Sequence, residues 1–300
     1  MKTVLIASGS GWHVRDLLRA ASCLDLEVEV VSFLELEARL GVGDQNSPSS
    51  PSGIRARGLE LGQADRVLVR TMPAGSLEQI VFRMDALHWL QSAGVPVFNS
   101  TRALETAIDK YLSLSRLAAA GLPVPATVTC EHAQSALEAF DTLGGDVVTK
   151  PLFGSEGRDL LRIERRCDAE DHFRNLEAAD SIIYQQQFID HPGRDIRVLV
   201  LGDTVAGAME RRVDHGWVTN VAQGGRAQPT SLSRTAEVLA LRAARAVGAE
   251  IAGVDLLPDK AGKLWVLEVN AVPGWRALGK VCGRDFAADI LRHVVQHPNG

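Results

Sequence analysis

The segment Leu264-Trp265-Val266-Leu267-Glu268-Val269-Asn270 constrains the C-terminal third of the chain more than any other feature. Residues two apart on a strand point to the same face, so Glu268 and Asn270 would project together from an otherwise apolar run. Pro258-Asp259-Lys260-Ala261-Gly262-Lys263 is a turn sequence. It would fold the preceding Ala252-Gly253-Val254-Asp255-Leu256-Leu257 back as the other arm of a hairpin, with Asp255 alongside. Two carboxylates and a carboxamide oxygen on one face suit a hard cation such as magnesium. A hairpin with one solvated face would carry the same residues.

At 300 residues the chain has room for two domains or three small ones packed together. A hydrophobic share of 46% and a charged share of 23% match a soluble globular protein. The formal net charge of -5 argues against a nucleic-acid or anionic-membrane partner, both of which select a basic surface. The apolar run at residues 4–7 is too short for a signal peptide or a membrane span and reads as a first buried strand. Cys23, Cys130, Cys167 and Cys282 are far apart, without zinc-site or disulfide spacing. A reducing, cytoplasmic location follows.

The first hundred residues alternate between strand and helix patterns. Strands are expected at 4–7, 28–33, 67–70 and 95–99, with helices at 14–24 and 76–93. That alternation is the signature of a parallel α/β domain. Residues 44–53 (DQNSPSSPSG) are polar and rich in serine and proline, and read as a mobile loop. One helix is expected over 100–120, stopped by Gly121, Pro123 and Pro125. Beyond it come strands at 127–130, 146–150 and 160–163, with a helix at 132–143. Further strands are expected at 182–186, 196–201 and 204–212, then a helix at 233–247, the hairpin, and a last helix at 285–297.

Val147-Val148-Thr149-Lys150-Pro151 reads as a buried strand ending in a lysine, and Gly154-Ser155-Glu156-Gly157 follows it. Small residues in a turn let backbone N–H groups approach phosphate oxygens, and a lysine beside them adds a point charge. The Walker spacing is absent, and an ordinary surface turn is the alternative. Lys110 alone is either a second cation or a solvated helix lysine. Tyr184-Gln185-Gln186-Gln187-Phe188-Ile189 leaves a strand for a loop that closes at Gly193-Arg194-Asp195. Such a hinge can offer backbone groups to an adenine edge and Asp195 to ribose hydroxyls, or it is a plain connection. Strand alternation sends Arg211 and Arg212 to opposite faces, so at most one of them faces a site. There it would stabilise a transferring phosphoryl group, as Arg197 also can; the other reading is a surface salt bridge. Gly9-Ser10-Gly11-Trp12-His13 is an incomplete dinucleotide fingerprint, with Val14 where the third glycine would stand.

Taken in order, these blocks resemble an ATP-grasp enzyme of the RimK type, from Asn99 to the final helix. The resemblance is carried by Asp109-Lys110, Ala120-Gly121-Leu122-Pro123-Val124-Pro125, Lys150-Pro151 with Phe153-Gly154-Ser155-Glu156-Gly157, and Gln186-Gln187-Phe188-Ile189. It continues through Gly193-Arg194-Asp195-Ile196-Arg197-Val198, Glu210-Arg211-Arg212, Thr219-Asn220 with Gly224-Gly225, Asp255, and Glu268-Val269-Asn270. The resemblance implies an α/β (α+β) ATP-grasp fold with an N-terminal parallel α/β pre-ATP-grasp domain. The implied divisions are residues 1–100, an ATP-grasp small or lid subdomain at 101–185, and a metal-binding subdomain at 186–300. It further implies that Lys110, Lys150, Gly154, Ser155, Gly157, Gln187, Phe188, Ile189, Asp195 and Asn220 bind ATP. Arg211 and Lys150 would be catalytic, and Asp255, Glu268 and Asn270 would hold two magnesium ions, with manganese as a substitute.

The implied activity is a magnesium-dependent carboxylate–amine ligase working through an acyl phosphate, adding L-glutamate to a small-molecule acceptor. Alternatives on the same fold are ligation to a protein or carrier-protein tail and a non-catalytic nucleotide-binding regulator. A homo-oligomer is compatible with all three. Three positions depart from the family pattern: Gln187 where the hinge usually has Glu, Asp159 where the lid usually has another glycine, and Val218 where many members carry arginine. Arg70-Thr71-Met72-Pro73-Ala74-Gly75-Ser76 and Asn270-Ala271-Val272-Pro273-Gly274-Trp275-Arg276 are similar to the branch associated with the pterin cofactor tetrahydromethanopterin.

Overall fold

The computed structural model describes residues 2–7, 9–41, 53–154 and 159–297. The polar stretch at 44–52 lies outside the described residues, and Gly53 opens a strand.

The N-terminal region contains β1 (Lys2–Ala7), α1 (Trp12–Cys23), β2 (Glu27–Ser32), β3 (Leu36–Arg39), β4 (Gly53–Ala56), β5 (Leu59–Glu60), β6 (Arg66–Val69), α2 (Leu77–Ser92) and β7 (Val97–Phe98). Strands β2, β1, β6 and β7 form a parallel sheet in that order, as the alternation of elements predicts. Period-two alternation feeds two cores from one strand. Val4 and Ile6 pack into the larger cluster with Leu87 and Leu90 of α2, while Leu5 and Ala7 pack with Val14 and Leu17 of α1. The small antiparallel sheet β3-β4-β5 was not expected.

Next come α3 (Thr101–Ile108) and α4 (Lys110–Ala119), two helices where the sequence pattern predicts one. Asp109 makes the break: its backbone is extended, and its side chain accepts from Leu112 N at 2.9 Å, capping α4. An N-cap aspartate gains this bond only by leaving helical dihedrals. A four-stranded antiparallel sheet follows, built from β8 (Thr127–Cys130), β9 (Val147–Thr149), β10 (Leu161–Ile163) and β11 (Ile183–Gln187). Helices α5 (Ala133–Thr142) and α6 (Arg166–Ala178) cover one of its faces. Alternation along β11 sends Ile183 and Gln185 toward the helices and leaves Gln186 on the opposite face.

The last part holds β12 (Arg194–Leu201), β13 (Thr204–Arg212), β14 (Arg226–Pro229), α7 (Arg234–Val247), β15 (Ile251–Pro258), β16 (Leu264–Asn270), α8 (Arg276–Cys282) and α9 (Phe286–Gln296). Its sheet runs β14-β13-β12-β15-β16, antiparallel throughout. Ala252, Val254 and Leu256 of β15 pack with Ala240 and Ala244 of α7, so the alternate residues Gly253, Asp255 and Leu257 face the other way. Helix α9 returns to the N-terminal sheet, where Ile290, Leu291 and Val294 join Leu17 and Leu5. All four cysteines are free, and no helix among the described residues is long and apolar enough to cross a membrane.

Candidate functional site

The hairpin expected from the sequence is present. Asp259 organises its turn, accepting at Oδ1 from Ala261 N and Lys263 N, each at 2.9 Å, and at Oδ2 from Trp265 Nε1 at 3.1 Å. Gly262 supplies the positive φ of 85° that the turn requires. In the resulting register Asp255 lies opposite Glu268, and Gly253 lies opposite Asn270. A bulge in β16 shifts the ladder between Asp255 and Leu256, so that both Leu267 and Glu268 reach the same cleft. Asn99, at the end of β7, clamps the far end of the hairpin. Its Nδ2 donates to Ile251 O at 2.8 Å and Ala271 O at 2.6 Å, and its Oδ1 accepts from Ile251 N at 2.8 Å.

Asp255 is 3% exposed and sits between two guanidiniums. Arg197, its register partner on β12, donates from Nη2 to Oδ2 at 3.1 Å, and Arg211 Nη2 lies 3.0 Å from the same oxygen. Arg197 Nε is 2.7 Å from Oδ1 but is not aligned for a hydrogen bond, so that buried oxygen has no hydrogen-bond donor. Burial pushes the Asp255 carboxyl up, yet Arg197 and Arg211 outweigh it and hold the group below the ordinary carboxylate range. Glu268 shifts the other way: burial raises it, and the neighbouring charge of Asp255 raises it further. Arg211 also bridges to Asp195, donating from Nε to Oδ1 at 2.7 Å and from Nη2 to Oδ2. Burial opposes the charge on Arg211, but Asp255 and Asp195 more than offset it and keep the guanidinium protonated. Arg212 turns to the opposite face and pairs with Glu210, as alternation predicts.

Across the cleft stand the lysines. Lys150 Nζ donates to Gln186 Oε1 at 3.3 Å and lies 5.2 Å from the Tyr184 ring centroid. Burial is the main reason its ammonium falls to about 8. Lys110, at the start of α4, donates from Nζ to the carbonyls of Leu152 at 3.2 Å and Gly154 at 3.0 Å, and burial lowers it too. The cleft joins these residues to the hinge. Lys110, Lys150, Gly154, Gln187, Phe188, Ile189, Asp195, Asn220, Asp255 and Glu268 all line it. Phe188 is packed on by Arg162, whose Cζ is 3.7 Å from the ring centroid, and edge-on by Trp217 at 5.9 Å.

Four expected residues are placed differently or lie outside the description. Arg211 sits behind the cleft wall, locked between two carboxylates. Asn270 lies beyond the lining, with its Oδ1 accepting from Val272 N at 2.8 Å. Ser155 and Gly157 lie outside the described residues. Asp195 lines the cleft with both oxygens on Arg211. The site also uses residues whose roles were not expected: His191 and Trp217 in the lining and Asn99 behind the hairpin, while Arg197, expected to meet a phosphoryl group, is bound to Asp255.

The donors suit a hard divalent cation. The Asp255 and Glu268 carboxylates are oxygen ligands on one cleft, and Asp255 Oδ1 is a buried acceptor without a hydrogen-bond donor; the Asn270 oxygen, bonded to Val272 N, is not among them. Among the described residues no third Asp, Glu, His or Cys joins them. Such a set leaves positions for phosphate oxygens and water, the habit of magnesium at nucleotide sites.

The chain is similar to known proteins over most of its length. The RimK-like ATP-grasp domain family matches residues 107–294. A tetrahydromethanopterin:alpha-L-glutamate ligase from Methanosarcina acetivorans is 32% identical over 327 aligned positions, covering 97% of each chain. A ribosomal protein bS6–L-glutamate ligase from Escherichia fergusonii is 33% identical over 257 positions, covering 84% of this chain and 83% of its own. Among solved structures, the ATP-grasp ligase PsnB complexed with a minimal precursor superimposes with a TM-score of 0.76 at 22% identity, covering 98% of both chains. A RimK domain ATP-grasp protein from Sphaerobacter thermophilus gives 0.73 at 22%, covering 98% of this chain and 100% of its own. At that identity the structural likeness shows the fold.

Proposed function

Because this chain belongs to the RimK-like ATP-grasp family of ATP-dependent carbon–nitrogen ligases, we propose that it joins the amine of L-glutamate to a carboxylate of a small-molecule acceptor. The observation that carries this reading is the convergence of Lys110, Lys150, the Gln187–Ile189 hinge, Asp255 and Glu268 on one cleft. Homologues named for glutamate ligation support the choice of amino acid, and a tetrahydromethanopterin ligase covering nearly the whole chain supports a pterin-type acceptor.

Each part has a physical task. The hinge offers backbone groups to the adenine, and Phe188 offers its ring. Lys150 and Lys110 meet the polyphosphate as point charges, and Lys110 holds the Leu152 and Gly154 carbonyls until it does. Asp255 and Glu268 are the residues that would hold magnesium, two ions in the family's manner. When bound, magnesium neutralises oxygens whose repulsion otherwise blocks transfer between two anions. An acceptor carboxylate oxygen attacks the γ-phosphorus, the bond to the β-phosphate oxygen breaks, and ADP leaves. The glutamate amine then attacks the acyl carbon, phosphate departs with the activated oxygen, and the amine gives up its proton. Arg211 fixes Asp195 and Asp255 relative to one another throughout. Residues 101–185 and 186–300 supply the two cleft walls in this reading, and residues 1–100 supply acceptor contacts. Cellular ATP places the reaction in the cytoplasm.

The direct test is mass spectrometry of products after incubation with ATP, magnesium, L-glutamate and a panel of pterin, peptide and protein acceptors. A pterin acceptor that gains a glutamyl residue supports the reading. Exclusive modification of protein tails would reassign the acceptor, and no product with any acceptor would remove the ligase activity.

A further inference from the structure

Burying a charge away from water requires a counter-charge or dense hydrogen bonding. Asp195, Asp255 and Arg211 satisfy that rule together. Two buried arginines near the N-terminal sheet do not. Arg70, just past β6, is 6% exposed, and Arg83, on α2, is 3% exposed. Arg70 Nη1 donates to the Pro273 carbonyl at 3.1 Å while its Nε has no acceptor, and Arg83 Nη1 donates to the Pro73 carbonyl at 2.7 Å. Among the described residues neither meets a carboxylate.

The surroundings do not neutralise Arg70. The Arg70 guanidinium lies 4.7 Å from the Trp275 ring centroid. Burial foremost, with the charges of Arg70 and Arg276, brings His13 down to about 4, so its imidazole is neutral. The nearby Asp16 is already taken, by Trp275 Nε1 at 2.8 Å and Arg19 Nε at 3.0 Å. The cluster is also tethered to the reaction cleft. Pro273, the partner of Arg70, stands three residues beyond Asn270, a span of at most ~11 Å of extended chain. Arg70 and Arg83 anchor an exposed loop at 71–76, where a Cβ at Gly75 would lie 2.9 Å from Arg83 Nη1.

We propose that Arg70, seated on Trp275 beside a loop positioned by Arg83, receives an anionic group of the acceptor distinct from the carboxylate that is activated. The acceptor is then at least a dianion before ligation. Naming the bound molecule as the acceptor rests on the ligase reading; the anion site itself rests on the uncompensated charge.

The test uses the full chain and two probes of nearly equal size, the dianion N-acetyl-L-glutamate and its uncharged diamide. Thermal unfolding should shift upward with the first and not with the second. Arg70→Met should unfold no lower than the parent without probe, since it removes an unpaired buried cation. It should bind N-acetyl-L-glutamate roughly ten- to a hundredfold more weakly, and Arg70→Lys should retain part of the response. Equal response to both probes, no response to either, or an undiminished response in Arg70→Met overturns the proposal. So does a clear loss of ligand-free stability in Arg70→Met, which assigns the residue a purely structural role. ATP with magnesium chloride in the same assay keeps the two readings apart. Failure of the parent to respond to nucleotide strikes the ligase reading, while the anion site still stands or falls on the acetylated probes.

Discussion

Asp255 and Glu268 face each other across the β15–β16 ladder. Burial raises both. Arg197 and Arg211 reverse that for Asp255, whereas the charge of Asp255 adds to it for Glu268. A divalent ion between them would favour the charged form of both.

Glu268→Gln tests the pair. Turnover should fall roughly a hundredfold with loss of one metal oxygen. The sign for stability is opposite. A folded-state pKa above the ordinary 4.5 means the native protein holds the extra proton, so stability falls as pH rises through that window. Urea unfolding of the metal-free protein should show that fall in the parent and a flatter profile in Glu268→Gln.

Lys150 should impose a basic limb on the kinetics. Its ammonium titrates at about 8, so the cation is present below that pH and is lost above it. The kcat/KM for ATP, which reports the free enzyme, should decline above about pH 8. Lys150→Arg should move the break upward, because a guanidinium stays charged. A limb that persists in the arginine variant would place the titration elsewhere.

Gly253→Ala should damage the site through Arg197. A Cβ at Gly253 would lie 2.5 Å from Arg197 Nη1 and 2.9 Å from Pro273 Cβ. The arginine can swing aside but the proline ring cannot, so a stability loss of about 1–3 kcal/mol is expected. Turnover should fall as well, because a displaced Arg197 releases Asp255. Urea unfolding and steady-state rates measure the two effects.

Arg211→Met should destabilise by about 3–5 kcal/mol, since Asp195 and Asp255 would stay buried without their shared cation. Unchanged urea unfolding would mean that the carboxylates find other partners.

The hairpin was legible because its signals are local: an apolar strand, a Pro-Asp-Lys-Ala-Gly turn, and acidic residues on one period. The parallel sheet was legible from alternating strand and helix patterns. Other features depend on partners distant in sequence. Asp109 splits one expected helix because its side chain caps Leu112 N, a choice that helix periodicity does not register. Strand β14 carries Arg226 and Pro229 and owes its place to pairing with β13. Asn99 gives no sign in sequence of its bonds to residues about 150 positions away. Arg70 stands out in the sequence only by resemblance, and its burial without a carboxylate is seen only in the structure.

The central claim, acyl-phosphate ligation in this cleft, is tested most directly by following oxygen. An acceptor carboxylate labelled with heavy oxygen is incubated with enzyme, ATP, magnesium and L-glutamate, and the released phosphate is analysed by mass spectrometry. The account predicts one heavy oxygen in each phosphate, with ADP and amide formed in equal amounts. Unlabelled phosphate, or label recovered in AMP, would contradict it.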